Sequence, residues 1–314
     1  MDKLRIGVIG TGGWGKNHLR VFSEFGMLQC LCDVDASRAK SWSEKYECKG
    51  YSDADKMLES EKLDAVTICT PTTTHFEIAA KTLQKGVNTF VEKPMTANVS
   101  EGKKLVEIAK DSDAFLTVGF IERFNPAVVD AKSAIKDKVL GEPLLLEFHR
   151  ENKWMGRITD VGIVADTSVH DIDTARWLFD EEPKIVFARI GKIMSEKRED
   201  FAAITLGFGE KKSAFMVSNW VTPKRQRLLA VVCSQGVITM DFITQEVRFD
   251  DSVGTRIPRR EFKEPLTEEM SRFVDSLRSG KPPLVTPKDG LNNTIVAEAA
   301  LASGSTGTPI YLNL

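Results

Sequence analysis

Leu4-Arg5-Ile6-Gly7-Val8-Ile9-Gly10-Thr11-Gly12-Gly13-Trp14-Gly15 is the stretch whose reading decides the fold. Leu4 to Ile9 reads as a strand, and it runs directly into a Gly-x-Gly-x-x-Gly turn, the order that a dinucleotide-binding fingerprint requires. Gly10 serves the tight turn, Gly12 lets the backbone approach a pyrophosphate, and Gly15 lets the following helix pack on the strand. That helix would face the phosphates with free N–H groups. Thr11, Gly13 and Trp14 complete the cradle. Asp33 closes the next apolar run, where a carboxylate can accept hydrogen bonds from both adenosine ribose hydroxyls. A 2′-phosphate there would be repelled and would need an arginine. Val34 comes next and the first basic residue is Arg38, which joins the cofactor-side residues, so NAD is favoured over NADP.

Outward from this motif, short apolar runs alternate with helical ones as far as Val118, the pattern of a parallel sheet covered by helices. Strands are expected at Leu4 to Ile9, Met27 to Cys32, Lys49 to Tyr51, Ala65 to Cys69, Val87 to Val91 and Phe115 to Val118. The fold class is therefore α/β: a Rossmann doubly wound sheet over residues 1–120. Residues 121–314 read as an α+β domain with a large open, mostly antiparallel sheet. Its helices are expected at Pro126 to Lys138 and Asp166 to Phe179, with a polar connection from Glu151 to Gly162. Strand-like runs follow at Leu144 to His149, Ile185 to Ile193, Ala202 to Phe208, Ala214 to Trp220, Arg227 to Cys233, Val237 to Phe242 and Glu246 to Phe249. Helices at Leu266 to Ser279 and Asn292 to Ala302 close the chain with a Pro309 to Leu312 strand, the last helix being expected to pack back on the first domain. Two helices cover only one face of such a sheet, and its apolar outer positions suggest self-association.

The chain has 314 residues, enough for two domains, and 43 basic against 45 acidic residues leave a net charge of −2. No global field would hold it on nucleic acid or an anionic membrane. Its five cysteines, an odd number without a Cys-x-x-Cys, argue against a disulfide framework or zinc ribbon and for a reducing compartment. The first strand leaves no room for a signal peptide and no apolar stretch spans a bilayer, so a cytoplasmic location is expected.

In a doubly wound sheet, ligands sit beyond the carboxyl ends of the strands. Thr70-Pro71-Thr72-Thr73-Thr74-His75 follows the fourth strand and Glu92-Lys93-Pro94 the fifth, so both should border the nicotinamide half of a cofactor. At Lys93 an ammonium could stabilise a developing alkoxide; the rival is a solvated surface lysine. Asp166 and His170, four apart, would share one helical face, and a histidine there can take a hydroxyl proton while the carboxylate orients it. The same residues also admit a structural histidine, or a metal site with Asp171. None of the other histidines, His18, His75 and His149, completes a metal shell, so no metal is expected.

Taken in order, the glycine motif, Thr70-Pro71 with His75, Glu92-Lys93-Pro94, Gly119-Phe120 with Arg123-Phe124, and Asp166 with His170 resemble the glucose-fructose oxidoreductase, inositol dehydrogenase and rhizopine catabolism family (Gfo/Idh/MocA) over essentially the full length. The resemblance implies NAD(P)-dependent oxidation of a sugar or cyclitol hydroxyl and a C-terminal sheet buried in a homodimer or homotetramer. It makes Lys93 the catalytic lysine, His170 the proton acceptor and Asp166 its companion, with Arg123 and Glu92 close to cofactor and substrate. Ile121-Glu122-Arg123-Phe124-Asn125-Pro126 is similar to a branch that oxidises the 3-hydroxyl of UDP-N-acetylglucosamine. Basic clusters at Lys224-Arg225 with Arg227, and at Arg256 with Arg259-Arg260, could meet a diphosphate or be solvated edge positions. One departure is that Gly156 and Gly162, where the family often has a glycine run, are separated by Arg157-Ile158-Thr159-Asp160-Val161. Alternatives to the dehydrogenase are an NAD-retaining glycosidase working through transient C3 oxidation, and a non-enzymatic cofactor-gated regulator.

Overall fold

The computed structural model describes residues 3–153 and 161–314. Contacts divide the chain into two units, Met1–Gly119 with Glu269–Leu291, and Phe120–Glu268 with Asn292–Leu314.

In the first unit, six parallel strands stand in the order β3-β2-β1-β4-β5-β6. They are β1 (Ile6–Ile9), β2 (Leu28–Cys32), β3 (Lys49–Tyr51), β4 (Ala65–Ile68), β5 (Asn88–Glu92) and β6 (Leu116–Gly119). Strands β1 and β4 are buried along their whole length, as strands covered by helices on both faces must be. The intervening helices are α1 (Gly15–Glu24), α2 (Ala36–Tyr46), α3 (Ala54–Ser60), α4 (His75–Gln84) and α5 (Val99–Lys110). Asp35, Asp53 and Asn98 accept the free N–H groups at the starts of α2, α3 and α5. Strand order reverses between β1 and β4, so the carboxyl ends of these two strands flank the crevice where doubly wound sheets bind ligands.

The second unit carries a nine-stranded sheet. Its long central strand β7 (Pro143–Lys153) pairs in parallel with β10 (Lys212–Asn219) and antiparallel with β11 (Val221–Cys233). Beyond β10 lie β9 (Phe201–Phe208) and β8 (Ile185–Gly191), then the short edge strand β15 (Ile310–Tyr311). Beyond β11 lie β12 (Gly236–Asp241), β13 (Val247–Asp251) and β14 (Thr255–Arg256). Among the described residues, one face is packed: Leu146, Phe148, Ile204, Met216 and Leu229 join Ala131 of α6 (Pro126–Lys136) and Ile172 of α7 (Val169–Phe179) in one core. On the opposite face, Phe187, Phe215 and Val217 remain 36%, 45% and 37% exposed.

Two expectations are corrected by this arrangement. The last helix, α9 (Pro287–Thr306), starts earlier than expected and is divided: Pro287–Leu291 belongs to the first unit, with Gly290 against Met95 and Val118, while Val296, Ala297 and Ala300 lie in the second unit's core. Asn293 fixes it there by donating to the Val169 carbonyl at 2.9 Å. The segment that does return to the first unit is Glu269–Leu291, which holds most of α8 (Pro265–Ser279); Phe273 packs on Phe90 of β5 with ring centroids 5.7 Å apart. Helix α9 buries Asn292, Asn293, Thr294 and Ser303 together with Val296 and Ala300, so it has no clean apolar stripe from which its partner can be read. The second correction concerns the helix expected from Asp166: Val164–Ser168 is a π-helical turn, and α7 proper begins at Val169.

Candidate active site

The cradle after β1 has the shape that an anion needs. Gly10 has φ +85°, and a Cβ there would lie 2.8 Å from the Cys69 backbone; a Cβ on Gly15 would lie 1.8 Å from the Gly10 carbonyl oxygen. These two glycines are required by the chain itself. Around Gly12 and Gly13 a Cβ would meet nothing within 4 Å. Helix α1 starts there with no side-chain cap and no acidic residue in its first turn. Open space in front of uncapped N–H groups fits a pyrophosphate. Gly12→Ala should therefore leave the melting temperature unchanged and weaken NAD binding by about tenfold or more, because the added methyl stands where the phosphates approach. Gly15→Ala should instead cost about 1–3 kcal/mol or more of stability, read by denaturant unfolding, because the clash is with backbone.

Asp33, at the end of β2, is 5% exposed. Its Oδ2 accepts from the Thr11 backbone N–H at 2.8 Å and the Thr11 hydroxyl at 2.9 Å, and its Oδ1 from the Asp35 N–H at 3.0 Å. Arg38 Nη1 reaches both oxygens, at 3.1 and 3.2 Å. Burial pushes this carboxyl up, but the bonds from Asp35, Thr11 and Arg38 outweigh it and hold it below the usual aspartate range. Trp42, one turn beyond Arg38 on α2, donates its indole N–H to the Thr11 carbonyl at 3.2 Å. Sequence reasoning missed this brace. An i, i+4 step from Arg38 was its one available signal.

At the carboxyl end of β5, Glu92 is nearly buried and its Oε1 takes the Trp14 indole N–H at 2.8 Å and His18 Nε2 at 3.0 Å. Oε2 accepts the Lys93 backbone N–H at 3.3 Å. The glycine turn and the half-buried Lys93 are thus joined through one carboxylate. His75, expected as a cofactor contact, is 1% exposed, with Nδ1 2.9 Å from the Pro94 carbonyl oxygen and Nε2 2.9 Å from that of Thr70. It ties the segment after β4 to the segment after β5, while Pro71 beside Thr70 is exposed.

In the second unit, Asp166 sits in the π-turn and His170 in the first turn of α7, both half-buried. A π-turn advances less rotation per residue than an α-turn, so residues four apart across the junction stay aligned on one face. Thr167 donates its hydroxyl to Asp166 Oδ2 at 3.0 Å, and Glu199 Oε1 accepts the Val164 N–H at 3.3 Å at the start of the turn.

Asp171 and Asp173 point the other way, into the core. Arg123, expected against cofactor and substrate, is 4% exposed and grips Asp173 with two bonds, Nε at 2.8 Å and Nη2 at 2.7 Å. Arg150 likewise bonds Asp171 Oδ1 at 2.8 Å and Glu122 Oε1 at 2.9 Å. Burial pushes the Asp171 carboxyl up to about 6, although Arg150 pulls it down. Arg150 thus ties α7 to β7, and Arg123 ties α7 to the 3-10 turn Ile121–Phe124.

Among the described residues, no group of three or more His, Cys, Asp or Glu side chains is placed to hold a metal ion, and no helix is long and apolar enough to cross a membrane. Arg260 is committed to Asp130 and the Pro126 carbonyl of α6, Arg256 lies over the Phe249 ring at 4.7 Å, and Lys224 and Arg225 are exposed on β11. The loop around Gly156, where the sequence departs from the resembled pattern, lies mostly outside the described residues.

Two family models match the chain: an oxidoreductase family NAD-binding Rossmann fold (GFO_IDH_MocA) over residues 4–120, and a GFO/IDH/MocA C-terminal domain over residues 128–239. The chain is 29% identical to scyllo-inositol 2-dehydrogenase (NAD(+)) of Bacillus subtilis, with 99% of this chain and 97% of that one covered. It is 26% identical to UDP-N-acetylglucosamine 3-dehydrogenase of Acidithiobacillus ferrooxidans, with 96% of each covered. Among solved structures it is similar to a probable dehydrogenase from Thermotoga maritima, with TM-score 0.86, 27% identity and 98% of both chains covered.

Proposed function

The chain belongs to the Gfo/Idh/MocA family of NAD-dependent oxidoreductases acting on CH–OH groups, and on that premise we propose that it oxidises a secondary hydroxyl of a sugar, with the 3-hydroxyl of a UDP-amino sugar as the first candidate. The observation that carries this reading is Lys93, half-buried at the carboxyl end of β5 and joined through Glu92 to an open phosphate cradle. Asp33 would take the adenosine ribose hydroxyls, and Gly10 to Gly15 the pyrophosphate. Bound NAD supplies a hydride acceptor, C4 of its nicotinamide. Lys93 stabilises the negative charge that develops on the substrate oxygen, and His170 accepts the hydroxyl proton while the ketone forms. Asp166 orients substrate and imidazole. Glu92 fixes the backbone of Lys93 and thereby its reach.

Relatives named for inositols and for a UDP-sugar are about equally similar to the chain, so the substrate is decided by assay. With NAD present, NADH absorbance is expected to rise with one class in a panel of UDP-sugars, free sugars and inositols. Turnover with UDP-N-acetylglucosamine alone supports the UDP-sugar branch; turnover only with inositols or free sugars removes it and keeps the class. Silence across the panel, with NAD bound, would overturn the dehydrogenase reading in favour of NAD-retaining glycosidase chemistry or a regulator.

The same reading includes a homodimer or homotetramer through the outer face of the nine-stranded sheet. Phe187 and Phe215 both pair with Thr205, and Val217 pairs with His149, so large apolar side chains recur on that face between polar ones. Exposed Phe and Val side chains on a sheet face are what a second copy would cover. Phe215→Asp with Val217→Asp should convert the native oligomer to monomer in light scattering; an unchanged mass would remove this face from the interface.

A further inference from the structure

Arg227 is a cation that the fold leaves under-neutralised. On β11 it is the cross-strand partner of Arg150 on β7, and it shares the packed face of the sheet with buried Leu229 and Val231. Among the described residues its ion-pair partner is Glu122, whose Oε1 lies 3.9 Å from Arg227 Nη1, too far for a hydrogen bond. That oxygen already takes Arg150 Nη1 at 2.9 Å, and Glu122 Oε2 takes Asn125 Nδ2 at 3.2 Å. Asp171, the other acid of the cluster, is engaged by Arg150. A brace would bring Arg227 onto a carboxylate, as Arg150 and Arg123 are brought onto theirs. Burial and the positive charges of Arg150 and Arg225 instead lower its pKa to about 10. Its side chain is still 35% exposed, and Arg225, the preceding residue on the same face, is exposed. Both stand beside the first turn of α7, because Arg150 bonds Asp171, the residue after His170.

We propose that Arg227 and Arg225 form an anion site for the diphosphate of a nucleotide sugar, and that they select such a substrate over an uncharged sugar or inositol. Two guanidinium groups that repel each other and open to solvent are neutralised together by one multiply charged group, and their planar forks suit phosphate oxygens. An inositol or free sugar carries no charge to offer them. The site rests on the sugar-oxidising reading for its meaning beside His170, but not for the binding itself.

The test is calorimetric titration of UDP, with uridine as the phosphate-free probe, into the full-length protein saturated with NAD so that the dinucleotide site is filled. UDP should bind wild type with a Kd that rises with added salt, and Arg227→Gln should weaken it by about tenfold. Arg225→Gln should weaken it by about two- to fivefold, since Arg225 is more exposed and better screened. That exposure also keeps the test open if Arg227→Gln does not fold. Uridine should bind every protein alike. The melting temperature of Arg227→Gln should not fall, because the charge removed is one that Arg150 and Arg225 repel. Failure of UDP to bind wild type, or equal UDP affinity in wild type and both variants, would overturn the site. UDP binds without hydride transfer, so the two readings fail separately. Silence across the dehydrogenase panel, with UDP still held through Arg227, removes the dehydrogenase and keeps the anion site. Turnover on UDP-N-acetylglucosamine, with UDP affinity unmoved by either substitution, does the reverse.

Discussion

Lys93→Ala is expected to lower kcat by about 10²–10⁴-fold, the range for losing a group that acts on the reacting oxygen, while the Kd for NAD stays within about threefold. The separation follows from where the residue sits. Its side chain extends from the end of β5, whereas the groups assigned to the pyrophosphate and ribose are the glycine turn after β1 and Asp33 after β2. Glu92 holds Lys93 by its backbone N–H, which alanine retains. Steady-state turnover on the substrate found in the panel, set beside an NAD titration, checks both halves. Lys93→Arg is the informative control: it keeps the charge but offers a planar fork instead of a compact ammonium, so recovery should be partial. Full turnover in Lys93→Ala would remove the lysine from the chemistry.

Asp173→Ala should destabilise the second unit by about 3–5 kcal/mol, because it leaves the Arg123 guanidinium buried without the carboxylate it grips. Both side chains are almost wholly enclosed, 3% exposed for Arg123 and 1% for Asp173, so solvent cannot take over. Replacing both, as Arg123→Met with Asp173→Ala, should recover much of the loss. Denaturant unfolding of the single and double variants measures the coupling. A contact between Arg123 and substrate predicts the opposite pattern: a raised KM with unfolding unchanged. A buried brace between Arg123 and Asp173 requires unfolding to move first.

The Rossmann half was legible because its signals are local. Glycines, an acid at a strand end and alternating apolar runs each act over a few residues, and β1 to β6 fall close to where those signals put them. Glu92, His75 and Arg123 show where local reading stops. Nothing near Glu92 in sequence announces that Trp14 and His18 will share one of its oxygens, and nothing near Arg123 announces Asp173, fifty positions away. A charged residue in a motif looks the same on paper whether it faces solvent, a ligand or a buried counter-ion. Burial separates those cases, and burial is a property of the tertiary fold. The π-turn at Val164–Ser168 escaped for a different reason: an extra residue per turn leaves the i, i+4 spacing of Asp166 and His170 looking like ordinary helix.

All five cysteines are free thiols: Cys30, Cys32 and Cys233 are buried, Cys48 and Cys69 partly so. Burial pushes Cys32 up to about 12 and Cys48 and Cys233 up to about 11, and raises Cys30 and Cys69 as well. Since the thiolate is the reactive form, a thiol of that acidity is ionised at neutral pH in only about one molecule in ten thousand. Alkylating dyes should therefore pass these positions by. A single cysteine engineered at the exposed Val34, beside Asp33, would be labelled almost alone, giving the native background of this chain to a fluorescent reporter of cofactor arrival without first removing any of its own sulfur.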